Sequence, residues 1–107
     1  MALELARSQL DLLALAALRA VPLHGYAIIK EIRERSGGEL ELAEGTFYPV
    51  LHRLERAGLV KSRWTTESGR RRRVYELTGK GQGALASRQD EWRQLVRTVD
   101  AVVGGTA

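Results

Sequence analysis

Cysteine is absent from this 107-residue chain, which removes disulfides, thiolate nucleophiles and every cysteine-based zinc or iron–sulfur site at once. Histidine is scarce: His24 and His52 are too few and too isolated for a metal site, and neither sits in a His-Glu-x-x-His pattern. No long apolar run exists. The longest, Leu12 to Leu18, is far below the roughly 20 residues that span a bilayer, and no basic segment followed by a cleavable hydrophobic one opens the chain. A cytoplasmic location without membrane association is expected. Catalytic signatures are missing too. No serine lies in Gly-x-Ser-x-Gly, Asp11, Asp90 and Asp100 fall on otherwise ordinary helical patterns, and Gly79-Lys80-Gly81-Gln82-Gly83 fits neither dinucleotide nor phosphate-loop spacing. Neither enzymatic activity nor a cofactor is expected.

What the chain does have is charge gathered in one place. Between Arg53 and Arg73 lie eight basic residues (Arg53, Arg56, Lys61, Arg63, Arg70, Arg71, Arg72, Arg73) against Glu55 and Glu67, a local balance of +6. The whole chain carries only +4, so everything else sums to −2. A polymer with closely spaced phosphates suits such a stripe, because each neutralised phosphate releases condensed counterions. The remaining composition, 44% hydrophobic and 28% charged, is that of an ordinary globular chain of one domain with one small core.

Periodicity orders the chain into helices around a hairpin. From Ser8 to Ala20, Leu10, Leu12, Leu13, Leu15, Ala16 and Leu18 cover most of a helix surface, with Ser8 as N-cap and Pro22 as a stop. His24-Gly25-Tyr26 opens a second helix in which Tyr26, Ile28, Ile29 and Ile32 recur at three- and four-residue spacing, and Ser36-Gly37-Gly38 ends it. Glu39 to Leu42 alternates polar and apolar, enough for a short extended piece. A third helix should begin between Glu44 and Thr46, since Pro49 is cheapest near a first turn, and end at Gly58. One face of it carries Phe47, Val50, Leu51, Leu54 and Ala57, the other Tyr48, Pro49, His52, Arg53 and Arg56. Leu59 to Thr65 and Arg72 to Leu77 read as two strands joined at Glu67-Ser68-Gly69.

Thr78 is a good N-cap for a last helix reaching about Val103, whose first turns should fray because Gly79, Gly81 and Gly83 each cost about 1 kcal/mol relative to alanine. Beyond them Leu85, Trp92 and Val99 are seven residues apart, as are Leu95 and Val102, and Arg88 interrupts this seam one heptad before Leu95. Such a stripe wants a partner. Residues 104–107 should only fray.

The fold class is therefore mainly α with a small β-hairpin. The motifs His24-Gly25-Tyr26-Ala27-Ile28, Glu44 to Glu55, Ala57-Gly58-Leu59-Val60 and Arg73 to Gly81 together resemble the PadR family of bacterial transcriptional regulators, over about nine tenths of the chain. The resemblance implies a winged helix-turn-helix over 1–78, a dimerisation helix over 79–107, and a homodimeric regulator, usually a repressor, of double-stranded DNA. It implies that the third helix, with its Gly45 to Pro49 run, enters the major groove while the wing touches backbone. It also implies a flat aromatic or multidrug-type effector at the dimer interface near Trp92.

The candidate DNA-binding residues are Thr46, Tyr48, His52, Arg53 and Arg56 on the helix and Lys61, Arg70, Arg71, Arg72 and Arg73 on the wing. Hydroxyls and free amides at a helix start suit phosphate oxygens, and Arg53 suits either guanine edges or phosphate. Strand alternation sends Arg71 and Arg73 away from Arg70 and Arg72, so about half the quartet reaches phosphate. Lys61 and Arg63 fit backbone contacts or glutamate partners. Trp64 is expected to anchor the hairpin to the helices. Leu85, Trp92, Leu95, Val96 and Val99 form the candidate dimer and effector surface. A winged-helix module that binds an acidic protein surface is the alternative. If DNA is the partner, Arg53 and the Arg70–Arg73 quartet must share one continuous face.

Overall fold

The order of elements in the computed structural model, which describes residues 4–104, is α1 (Arg7–Ala17), β1 (Leu23–His24), α2 (Gly25–Arg35), α3 (Glu44–Arg56), β2 (Val60–Glu67), β3 (Arg70–Leu77) and α4 (Gly79–Val103). Helix α1 starts earlier than Ser8. Its N-cap is Ala6, which has no side-chain acceptor for the first-turn amides, the role expected of Ser8; instead the Ala6 amide itself donates to Gln9 Oε1 at 2.7 Å. The helix stops at Ala17, short of Ala20. Helix α2 is capped by His24, whose Nδ1 accepts from the Ala27 amide at 3.2 Å. It ends at Ser36, and Gly37 and Gly38 then take positive φ.

The core is the apolar side of all four helices plus one face of the sheet. Ala14, Leu15 and Leu18 of α1 and its end, Ile28, Ile29 and Ile32 of α2, and Phe47, Val50, Leu51 and Leu54 of α3 close over Leu59, Val60, Tyr75 and Leu85. Burying each large side chain contributes about 1.5 to 3 kcal/mol. Tyr26, expected on the inner face of α2, is exposed and stacks on His24 with ring centroids 6.5 Å apart.

The sheet has three strands, not two, in the order β1-β3-β2, all antiparallel. Leu23 pairs with Tyr75 and His24 with Val74, which ties the start of α2 to the wing. The hairpin turns through Ser68 and Gly69, both at positive φ, as a two-residue connection between Glu67 and Arg70 requires. Glu39 to Leu42 forms no strand: Leu40 and Leu42 pack on the core, and the Leu40 amide donates to Ser36 Oγ.

Helix α4 is helical from Gly79, and its first turn is fastened instead of frayed. Thr78 Oγ1 accepts from the Gly81 amide and donates to the Gly58 carbonyl, and Lys80 Nζ donates to the Ala57 carbonyl at 2.9 Å. A β-carbon on Gly81 would overlap the Leu59 carbonyl, so glycine there permits the close approach of helix to chain. Leu85 is 4% exposed and belongs to this core. Gly104 closes α4 at φ 73, and residues 105–107, expected to fray, lie outside the described residues. The arrangement is a winged helix-turn-helix, with α2 and α3 as the helical pair and β2–β3 as the wing.

Candidate nucleic-acid interface

Helix α3 buries Phe47, Val50, Leu51 and Leu54 and leaves Gly45, Thr46, Pro49, His52 and Arg56 exposed along the opposite side. Tyr48, Arg53 and Glu55 lie half-buried on its flanks. Pro49 is the sixth residue of the helix rather than part of its first turn, so the carbonyl of Gly45 has no amide to accept from. The Tyr48 ring rests against Gly25, where an added β-carbon would meet it at 2.7 Å. Glycine thus lets α3 sit close against the start of α2.

Arg53 does not belong to the exposed face. Its guanidinium turns inward to Asp11 of α1, which also holds Arg88 of α4 at 3.1 Å. Asp11 is 8% exposed, and one carboxylate between two guanidiniums joins three helices. Polar helix surface and groove-facing surface are therefore not the same thing here. Asp11 within the apolar pattern of α1 and Arg88 within the apolar seam of α4 are the two breaks in those patterns, and each is explained by the other. A lone carboxylate on a core-facing stripe is the sequence signal for such a pairing.

The wing divides its charges by face. On one face Lys61 and Arg63 both reach Glu76, at 3.7 and 3.3 Å, the glutamate pairing open to them from sequence. On the other, Arg73 lies near Glu55 at 3.7 Å and donates to Ser62 Oγ at 2.8 Å. Among the described residues, no carboxylate forms an ion pair with Arg56, Arg70, Arg71 or Arg72. Arg72 instead lies 2.8 Å from His24 Nε2. Burial, and next the Arg72 charge, pull the His24 imidazole below its ordinary value of 6.5, with Glu67 opposing.

Trp64 corrects a second expectation. It is 55% exposed and anchors nothing to the helices; the guanidiniums of Arg71 and Arg73 lie over its ring, 4.7 and 5.4 Å from the centroid.

These elements meet in an open groove of about 660 Å³ between the wing and the helical pair, lined by His24, Tyr26, Tyr48, His52, Trp64, Tyr75 and all of Arg70 to Arg73. Of the residues expected at the interface, Tyr48, His52 and the arginine quartet come together. Thr46 and Arg56 lie on the exposed side of α3, while Lys61 and Arg53 are engaged elsewhere. His24, Tyr26 and Trp64 are additions that sequence did not mark.

A second surface lies on α4. Trp92, Leu95, Val96, Val99, Val102 and Val103 are 39 to 83% exposed. Leu85, assigned to the same seam by its spacing, is inside the chain's own core. A groove between α1 and α4 borders the stripe, with Leu12, Arg88, Trp92 and Leu95 in its walls. No helix of the described residues is long and apolar enough to cross a membrane.

Residues 13–87 match the Transcriptional regulator PadR-like family. A transcriptional regulator of Mycobacterium tuberculosis is 40% identical over 76 residues, 71% of this chain and 68% of that one. A PadR family transcription regulator from Clostridium difficile superposes with a TM-score of 0.76 at 37% identity, covering 90% of this chain and 98% of the other. A transcriptional regulator from Clostridium thermocellum gives 0.82 at 28%, covering 89% and 93%.

Proposed function

The chain belongs to the PadR-like family of transcriptional regulators, which are not enzymes, and we propose that this member is a cytoplasmic homodimeric repressor of a pseudo-palindromic operator. Residues 1–78 bind the DNA, and the helix from residue 79 joins the subunits. One observation carries this reading. Tyr48 and His52 of α3 and four wing arginines, three of them without a carboxylate partner among the described residues, line the same groove.

Helix α3 enters the major groove with Thr46, His52 and Arg56 toward the bases, and Arg70 to Arg73 take backbone phosphates. Tyr48, braced on Gly25, sets the depth. The α4 stripe supports dimerisation, because a monomer would leave Trp92, Leu95, Val96 and Val99 in water. Two-fold symmetry then places the reading helices about 34 Å apart, one helical turn. A small flat aromatic effector fits the groove beside Trp92. Arg88 in its wall holds Asp11, and Asp11 holds Arg53 of α3, so occupancy there has a short physical route to the reading helix.

The test is binding to fragments of the source genome, followed by a salt titration on the retained site and on mixed-sequence duplex. Phosphate-driven binding gives a steep negative log–log slope on both, with the retained site tighter. A flat slope, or no binding at low salt, would favour an acidic protein partner.

A further inference from the structure

Trp64 lies on the same face of the sheet as Val60 and Ser62, two and one alternations back along β2. Val60 is buried and Trp64 is not, because the wing extends past the helices before the strand reaches it. Exposing an indole without a partner wastes the residue that buries most area, unless the ring does something at the surface. Here the register supplies the use. Arg73 is directly opposite Trp64 and Arg71 is its diagonal neighbour, so both side chains rise on the ring's own face of the sheet. Both guanidinium carbons lie within cation–π distance of the indole. Arg73 also donates to Ser62 Oγ at 2.8 Å and lies 3.7 Å from Glu55, and the ring keeps the Arg71 guanidinium beside it, where two like charges would otherwise move apart.

We infer that Trp64 is a positioning residue for the DNA backbone: its indole is a platform that fixes Arg71 and Arg73 at the mouth of the groove shared with Tyr48 and His52. This rests on the DNA-binding reading above. Ordering two arginine side chains before contact removes that entropic cost from the binding step. The platform favours any duplex equally, since it acts on groups that meet phosphate and not base edges. It adds no charge of its own, which separates its loss from the loss of an arginine.

The experiment compares the full chain with Trp64→Leu and Trp64→Phe in two arms. Without DNA, the Nε–Hε resonances of Arg71 and Arg73 should be shifted upfield by the ring current, return to ordinary positions in the leucine variant and stay shifted with phenylalanine. Hairpin amide shifts distant from residue 64 should be unchanged throughout. With DNA, the leucine variant should lose roughly fivefold in affinity on specific and mixed-sequence duplex alike, with the salt slope retained, and phenylalanine should recover most of it. Absence of ring-current shifts in the parent overturns the platform. So does parental affinity in a leucine variant whose shifts have collapsed, or a loss confined to specific DNA. Intact shifts in a parent that binds no duplex at low salt would overturn the DNA reading itself, and the role of the platform with it.

Discussion

The wing and the second half of α4 both present side chains that an isolated folded chain has no use for, but the two surfaces differ in what water does for them. Among the described residues Arg70, Arg71 and Arg72 have no carboxylate partner, yet a guanidinium in water is well solvated and costs little to leave there. Trp92, Leu95, Val96, Val99, Val102 and Val103 are not solvated in that sense, and each exposed Å² of apolar surface forgoes about 25 cal/mol. A charged surface can wait for its partner; an apolar stripe of six side chains is best covered at all times. The contrast argues for a standing dimer made by α4 and an intermittent contact made by the wing.

The largest effect should come from breaking the apolar side of that comparison. Leu95→Asp with Val99→Asp should yield single subunits in sedimentation, with the thermal midpoint of the winged domain little changed because neither residue is in the core. Affinity for a palindromic site should fall by about 100-fold or more, since two tethered half-site contacts become two independent ones. A variant that stays dimeric and binds normally would place the interface elsewhere.

The charged side is tested by two pairs on one hairpin. Arg71→Ala with Arg73→Ala should cost roughly 10- to 50-fold on specific and random duplex alike and reduce the magnitude of the salt slope by about 1 to 2. Lys61→Ala with Arg63→Ala removes the same formal charge, but both side chains share Glu76 on the other face of the sheet, whereas in the first pair only Arg73 has a carboxylate nearby among the described residues, Glu55, and the loss should be severalfold smaller. Equal losses from the two pairs would mean that net charge, and not its placement, governs binding. His52→Ala with Arg56→Ala should instead erode the preference for the specific site, because those side chains project from the exposed side of α3.

Between the two surfaces lies Asp11. Asp11→Asn leaves Arg53 and Arg88 facing each other without a counter-charge, but both are about a third exposed, so solvent absorbs much of the loss. A destabilisation of about 1 kcal/mol is expected, seen as a fall of roughly 4 to 8 °C in thermal midpoint. If α3 depends on this anchor for its orientation, selectivity between specific and random DNA should fall in the same variant. Unchanged selectivity would make the triad a matter of stability alone.

How much of this was legible in the sequence depends on how local the cause is. The four helices and the wing were readable because apolar spacing and the Ser68-Gly69 turn act over a few residues. Strand β1 was not, because two residues carry no alternation and its existence depends on Tyr75 and Val74 fifty positions later. Glu39 to Leu42 alternates for a different reason, that Leu40 and Leu42 are pinned to the core from a loop. Arg53 sits at the edge of the polar half of α3, where the wheel alone cannot choose between solvent and a carboxylate on another helix. Leu85 shares the heptad spacing of Trp92, but the same spacing serves a core inside the chain before it serves a seam between chains. Trp64 was read by residue type, and its neighbours decided otherwise.

The smallest effect sharpens the comparison with pH. His24 caps α2 through Nδ1 and faces Arg72 through Nε2, and burial followed by the Arg72 charge lowers its affinity for a proton. The unfolded chain, with the ordinary value of 6.5, then binds that proton more readily than the folded one. Stability contributed by this group is therefore present above about pH 6.5 and is lost as pH falls below it. Phosphates brought to Arg70 and Arg72 act in the opposite sense, because negative charge beside the ring favours imidazolium. DNA affinity should rise a few-fold between pH 7.5 and 5.5 while the thermal midpoint drifts down. His24→Asn keeps an acceptor for the Ala27 amide and removes the titration, so it should flatten the stability drift and reduce the affinity gain. If both quantities instead moved together with pH in the parent, the ring would not be facing the phosphates, and His24 would belong to the capping of α2 and not to the charged face.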